Sequence, residues 1–301
     1  MAKILNGIEV ANIIKKEVSE NISSFSMYGS PGLAVILANE DPASEIYVNK
    51  KQKACEQVGI RSFVIRPFGT TASTWTASQL ERHLVSTIHW LNNDEEVNGI
   101  LLQLPILPVI TDCVLDIVSS IDHVKDVDVL TPYNLGKLVQ GNGLFKPCTP
   151  AAVEAILKYY NISTVGKKMV VINRSNIVGK PLFSMMVQDH ELANATVTLC
   201  HDKTSRETLK EFCLNADIIV VAVGIEKFLT KDMVRAGQTI IDVGINRTAN
   251  GIVGDVDFTE VEPIVESITP VPGGVGPVTV AMLLQNTMMA YIQQNSWQEK
   301  L

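Results

Sequence analysis

The chain has 301 residues, 46% of them hydrophobic and 19% charged; that is too apolar for a disordered chain and long enough for about two domains. Lys+Arg 25 against Asp+Glu 32 gives a net charge of −7 without any basic block, so no nucleic-acid partner is expected. No continuous apolar run nears the ~18 residues of a membrane span, and Glu9 interrupts the N-terminus before a signal-like apolar core can form, so no membrane association is expected.

Residues 8–27 have apolar side chains at helical spacing. Residues 33–38 (LAVILA) form a short unbroken apolar run, suited to a strand buried on both faces. Asp41-Pro42 reads as a helix start, with the helix running to about residue 58 and stopping at Gly59. Residues 62–66 are β-like, 80–91 helical, and 100–104 form another apolar strand that Pro105 ends. Gly, Pro and Asn punctuate 131–150, which places a domain junction there. In the second half, residues 168–172, 195–199, 217–223 and 239–243 are β-rich runs with helical stretches between them. Residues 277–294 read as one long helix. This alternation specifies an α/β chain with parallel sheets and right-handed crossovers.

The strand at 168–172 opens directly into Asn173-Arg174-Ser175-Asn176-Ile177-Val178-Gly179-Lys180-Pro181 and then a helix. A strand-to-helix turn of this kind is where a dinucleotide pyrophosphate rests on free N–H groups and the helix dipole. It is not G-x-G-x-x-G, since only Gly179 is glycine, and an ordinary βα turn has the same outline. Gly224 and Gly244 each follow a later strand, where glycine lets a ligand approach the backbone. Three such strand ends together favour a nucleotide. With them, His201, Asp202 and Thr204, Ala222 and Val223, and Ile245 complete the expected cofactor-binding set, alongside Asn173, Arg174, Ser175, Val178, Gly179, Gly224 and Gly244. The five cysteines (Cys55, Cys113, Cys148, Cys200, Cys213) and five histidines (His83, His89, His123, His190, His201) lack metal-ligand spacing. No metal site is expected, and reduced thiols in a cytoplasmic protein are.

Seven segments in order resemble the bifunctional methylenetetrahydrofolate dehydrogenase/methenyltetrahydrofolate cyclohydrolase family: Asp41-Pro42-Ala43-Ser44 with Tyr47 and Lys51; Gln103-Leu104-Pro105; Lys125-Asp126-Val127-Asp128; Pro147-Cys148-Thr149-Pro150; Arg174-Ser175 with Val178-Gly179-Lys180-Pro181; residues 195–198 with Cys200-His201; and Thr269-Pro270-Val271-Pro272-Gly273-Gly274-Val275-Gly276-Pro277. The resemblance implies a folate-binding catalytic domain over 1–147, a Rossmann-like nucleotide domain over 148–272, and a glycine-rich loop and helix over 273–301 that return to the first domain. It implies 5,10-methylene-tetrahydrofolate held between the domains, oxidation with NADP, and hydrolysis of the methenyl product to 10-formyl-tetrahydrofolate by a homodimer.

Tyr47 and Lys51 are four apart on one predicted helix and so share a face. By the resemblance, Tyr47 stacks on the pterin, Lys51 handles the proton, Gln103 orients Lys51, and Asp128 grips the amino-pyrimidine edge. A flat π-system suits a phenol platform, and a carboxylate suits paired N–H donors. Taken without the resemblance, Tyr47 and Lys51 read as a solvated basic helix face and Asp128 as a turn aspartate. Ser44, Leu104, Pro105, Pro272, Gly273 and Gly276 are the remaining substrate-binding residues the resemblance implies. Cys148 has no base partner in the sequence and reads as a packing residue.

Three departures stand out: Asn173 where the family has glycine, Val129 where it has glycine after Lys-Asp-Val-Asp, and His123 for a proline. Asn tolerates left-handed φ, whereas a β-branched residue does so at a cost. Arg174 fits a contact to the 2′-phosphate of NADP. Asp202, just past the second strand of the nucleotide domain, instead suits the ribose 2′-OH of NAD, so NAD stays open as an alternative. A monofunctional dehydrogenase, a silent nucleotide- or folate-binding paralogue and an amino-acid dehydrogenase of similar layout are the competing readings. The retained Tyr47, Lys51, Gln103 and Asp128 weigh against all three.

Overall fold

Short runs of β-branched and aliphatic residues with no polar break suit strands covered on both faces. A computed structural model describes residues 1–25, 29–69, 74–249 and 251–295, and the runs form two parallel sheets in two structural units.

One unit comprises residues 14–137 and 283–301. Its sheet has the order β3 (Arg61–Ile65), β2 (Gly32–Leu37), β4 (Gly99–Gln103), with both pairings parallel. Every residue of β2 is buried. Helix α2 (Pro42–Val58) connects β2 to β3, and α3 (Ala77–Asn93) connects β3 to β4. Thr76 caps α3 through a capping box with Gln79, which satisfies N–H groups the first turn cannot pair internally. Leu80, Leu84, Ile88 and Leu91, at helical spacing, turn one face of α3 onto a core shared with Ala34, Ile36, Ile100 and Leu102. Short helices α4 (Val114–Ser119) and α5 (Pro132–Val139) follow.

The other unit comprises residues 1–13 and 138–282. Its six strands, all parallel, run β1 (Lys3–Ile4), β11 (Ser267–Ile268), β8 (Thr239–Asp242), β7 (Ile218–Val221), β5 (Lys168–Ile172), β6 (Thr196–Cys200). Helix α7 (Gly179–Met186) connects β5 to β6, and α8 (Arg206–Asn215) connects β6 to β7. The chain therefore steps outward from β5 to β6 and returns to the opposite side at β7. The strand order reverses there, which makes the carboxyl ends of β5 and β7 the switch point where doubly wound sheets receive ligands. A hairpin of β9 (Asn246–Thr248) and β10 (Gly251–Val253) and a short helix, α9 (Phe258–Val261), complete this half of the chain, together with α6 (Cys148–Tyr159), which opens with Pro147 as its N-cap.

The domain bounds differ from those expected. The first 13 residues cluster with the six-stranded unit because β1 pairs with β11, and a division falls at 137/138 rather than 147/148. The final helix, α10 (Val275–Asn295), returns from residue 283 onward. Asn286 Nδ2 donates to the Val127 carbonyl at 2.8 Å and Gln294 Nε2 to the Asn98 carbonyl at 2.9 Å. By length and composition α10 is apolar enough to cross a membrane, which a count of unbroken apolar runs did not reveal; most of it is buried inside the protein. The first helix, α1, spans Gly7–Ser24, and residues 26–27 of its expected extent lie outside those described.

Candidate active site and nucleotide-binding turn

In the 14–137 unit, the chain leaves β2 and enters α2 through Asn39–Asp41. Asn39 Nδ2 donates to the Pro105 carbonyl and, at 3.1 Å, to Ser44 Oγ. It joins the start of α2 to the loop after β4, which begins with the cis Leu104-Pro105 bond. Sequence reasoning missed Asn39, whose position one residue past a buried run is its only signal. Ser44 is buried and donates to Asp41 at 3.4 Å.

Tyr47 and Lys51 both lie on α2 and are half-buried. Lys51 Nζ donates to Gln103 Oε1 at 2.8 Å. Gln103, the last residue of β4, donates through its own Nε2 to the Leu104 carbonyl at 2.8 Å. That second bond fixes which way the amide faces, because only the oxygen can accept from an ammonium. Lys50 Nζ sits 5.9 Å from the centroid of the Tyr47 ring, a cation–π contact. Lys53 is exposed.

Asp128 is half-buried. The segment around it hangs on its neighbour Asp126, which is fully buried and accepts from Leu130 N (2.9 Å), Thr131 N (2.9 Å), Thr131 Oγ1 (2.7 Å) and Asn134 Nδ2 (3.0 Å). Val129 keeps a φ of 57° while buried. The backbone is thus left-handed here with a β-branched side chain in place, at a cost of order 1–2 kcal/mol. His123, in place of the expected proline, packs against Tyr133 at 4.3 Å between ring centroids.

In the 1–13/138–282 unit, Asn173 follows β5. Its φ is not positive, so the turn does not use the left-handed tolerance expected of asparagine. The side chain serves instead. Oδ1 accepts from Ser175 N (2.8 Å), Ser175 Oγ (2.7 Å) and Gly179 N (2.9 Å), and Nδ2 donates to the Ala222 carbonyl at 2.5 Å. Asn173 therefore gathers the turn at the N-terminus of α7 and ties the end of β5 to the end of β7 across the switch point. Val178 precedes α7, and its N–H donates to Ser175 Oγ at 3.0 Å. Arg174 and Asp202 form an ion pair, with Lys203 Nζ 3.5 Å from the second carboxylate oxygen. Burial raises the Asp202 pKa, but Arg174 and Lys203 outweigh it and hold the carboxyl below its ordinary value. Thr204 Oγ1 accepts from His201 N at 3.1 Å, closing the turn after β6.

Two carboxylates that sequence reasoning missed organise the other strand ends. Asp255, fully buried, accepts from Val223 N (2.6 Å), Gly224 N (3.0 Å) and Ile225 N (3.0 Å). Asp242, at the end of β8, accepts from Gly244 N (2.9 Å), Asp255 N (3.0 Å) and Val256 N (3.0 Å). Burial pushes its carboxyl up to about 6, more than its three amide donors lower it. Gly244 makes room for the Asp255 carboxylate, since a Cβ there would fall within that carboxylate. Gly224 has φ +70° and open space where a Cβ would stand. The exposed Ile245 follows Gly244.

Pro272, Gly273 and Gly276 lie in the turn entering α10. The Val271-Pro272 bond is cis and Gly273 has φ 104°. Gly7 N donates to the Gly273 carbonyl at 2.9 Å, which anchors this loop to the start of α1. Cys148 is buried at the start of α6.

A doubly wound sheet with a fitted strand-to-helix turn, and a second parallel sheet bearing a tyrosine–lysine–glutamine constellation, together define a nucleotide-dependent oxidoreductase of two α/β domains. The comparisons narrow the class. Residues 5–128 match the profile of the tetrahydrofolate dehydrogenase/cyclohydrolase catalytic domain, and residues 147–295 that of the family's NAD(P)-binding domain. The bifunctional protein FolD of Maridesulfovibrio salexigens is 48% identical over 291 residues, covering 96% of this chain and 98% of its own. The crystal structure of the bifunctional methylenetetrahydrofolate dehydrogenase/cyclohydrolase FolD from Campylobacter jejuni superposes with a TM-score of 0.88 at 43% identity, covering 98% of this chain and all of that one. The Trypanosoma brucei enzyme, solved with NADP and an inhibitor, gives 0.87 at 33% identity over 98% and 99% of the two chains. The chain belongs to the tetrahydrofolate dehydrogenase/cyclohydrolase family.

Proposed function

We infer that the chain carries both activities of its family: oxidation of 5,10-methylene-tetrahydrofolate with NADP, and hydrolysis of the resulting 5,10-methenyl cation to 10-formyl-tetrahydrofolate. The observation that carries this reading is the 2.8 Å bond from Lys51 to Gln103, one helical turn beyond Tyr47 on α2.

The residues at the ends of β5, β6 and β7 fit a dinucleotide. Ser175, Val178 and Gly179 line the start of α7, Arg174 and Asp202 stand where a ribose edge would lie, and the open face of Gly224 admits a close approach. Bound NADP supplies the hydride acceptor. The protein contributes alignment and proton handling. Tyr47 offers a flat apolar face to the pterin, and Asp128 accepts from its N–H edge. Leu104 and Pro105, held by Asn39, and Ser44 complete the substrate contacts from the 14–137 unit. In the hydrolysis, water adds to the methenyl carbon, one ring C–N bond breaks, the ring nitrogen gains a proton and one proton is released. Lys51 moves that proton, and Gln103 holds its amine on the reacting side. Assembly as a homodimer in the cytoplasm is carried over from the resemblance, and light scattering of the purified protein tests the dimer.

Lys51→Met keeps the length of the side chain and removes the amine. The variant is expected to lose methenyl-tetrahydrofolate hydrolysis, measured by loss of the methenyl absorbance. Hydrolysis at the wild-type rate would sink the assignment of Lys51.

A further inference from the structure

The Arg174–Asp202 ion pair occupies a particular place in the sheet. Arg174 stands two residues past the end of β5 and Asp202 two residues past the end of β6, the strand beside it. In doubly wound sheets the ribose of a bound nucleotide lies at this point. An acidic group after the second strand accepts from a free 2′-OH, whereas an arginine nearby receives a 2′-phosphate. Here the two groups neutralise each other. Asp202 Oδ1 is on Arg174 Nη2, and Oδ2 faces Lys203 Nζ at 3.5 Å. A 2′-phosphate reaching for Arg174 must displace a carboxylate already there and then lie beside it. A 2′-OH meets neither obstacle, because it can donate to Asp202 with the ion pair intact.

We propose that Asp202 is the specificity-determining residue of the nucleotide site: by holding Arg174 it lowers discrimination in favour of the 2′-phosphate, so that the chain accepts NAD as well as NADP. This rests on the dinucleotide reading of the β5–α7 turn. Both side chains are about half exposed, so solvent screens the pair and the effect is moderate, on the order of tenfold in relative affinity for a dianionic phosphate beside one carboxylate.

The test titrates the ligand-free protein calorimetrically with 2′,5′-ADP and with 5′-ADP, which differ in where the second phosphate sits. Asp202→Asn is expected to tighten 2′,5′-ADP about tenfold relative to 5′-ADP, and the ratio of kcat/KM for NADP over NAD is expected to rise in parallel. Arg174→Gln is expected to weaken 2′,5′-ADP, and in the double variant the Asp202→Asn gain should vanish, since the carboxylate acts through the guanidinium. Thermal melting of each variant accompanies the titrations. A lower melting temperature with an unchanged ratio of the two affinities overturns the proposal and makes the pair a structural staple. Binding of neither ligand by any form overturns the dinucleotide reading as well.

Discussion

Asp126 ties the loop that carries Asp128 to the fold, and removing its carboxylate gives a quantitative expectation. Asp126→Ala deletes four hydrogen bonds, from two backbone amides, the Thr131 hydroxyl and the Asn134 amide. All four lie at a residue with no exposed surface. A buried donor left without an acceptor costs ~1–3 kcal/mol. The Thr131 hydroxyl can rotate to another partner, which leaves three donors and a raw cost of about 3–9 kcal/mol. Water entering the vacated space recovers part of it, so about 4 kcal/mol is expected. Asp126→Asn keeps one acceptor oxygen but turns an NH2 toward donors, and about 2 kcal/mol is expected for it. Urea unfolding at pH 7.5, followed by circular dichroism, measures both. Asp128, two residues on, should lose its fixed placement, so KM for methylene-tetrahydrofolate should rise in the Asn variant while affinity for the nucleotide is retained. An Ala variant within 1 kcal/mol of wild type, or unchanged KM in the Asn variant, would refute the view that this carboxylate builds the loop.

Asp242 should titrate near pH 6, against an ordinary value of 3.8. The folded state then holds a proton that the unfolded state releases between about pH 4 and pH 6. This group's contribution to stability is therefore full below pH 4 and falls as pH rises, by about 3 kcal/mol once above 6, at 1.36 kcal/mol per unit. Carboxyl-carbon NMR of the folded protein checks this, and a carboxyl already ionised at pH 4.5 contradicts it. Gly244→Ala would drive a methyl group into the Asp255 carboxylate. Overpacking of this kind costs ~1–3 kcal/mol, and the variant should also bind NADP more weakly, because Asp255 holds the 223–225 backbone in place. Equal NADP affinity in wild type and variant, by nucleotide fluorescence titration, would disconnect that carboxylate from the cofactor.

The parts of the fold that burial alone dictates were legible in the sequence. The runs that became β2, β4, β5, β7 and β8 are apolar through their middles because both faces are covered there, and their bounds shifted by no more than a few residues. Strands β1 and β11 are two residues each, too short for any period, and only their pairing makes them strands. The grouping of residues 1–13 with the six-stranded sheet was not legible for the same reason, since it depends on a partner more than 260 positions away. At the site, shared helical spacing brought Tyr47 and Lys51 together, while Gln103 entered through the resemblance. The work of Asp126, Asp242, Asp255 and the Asn173 amide was invisible. An acidic or amide residue just past a strand has the composition of a surface turn, and only three-dimensional placement shows backbone amides converging on it.

Those converging amides have an electrostatic consequence. Each cup of N–H groups at the carboxyl edge of the large sheet would attract a passing anion. The cups after β7 and β8 are filled from within by the carboxylates of Asp255 and Asp242, while the one after β5 is filled by the uncharged oxygen of Asn173. With its own counter-ions the protein cancels two competing landing places for a diphosphate. The third keeps its net positive character, so the nucleotide position proposed above is set as much by where the chain has spent its negative charge as by where it has left positive charge in place.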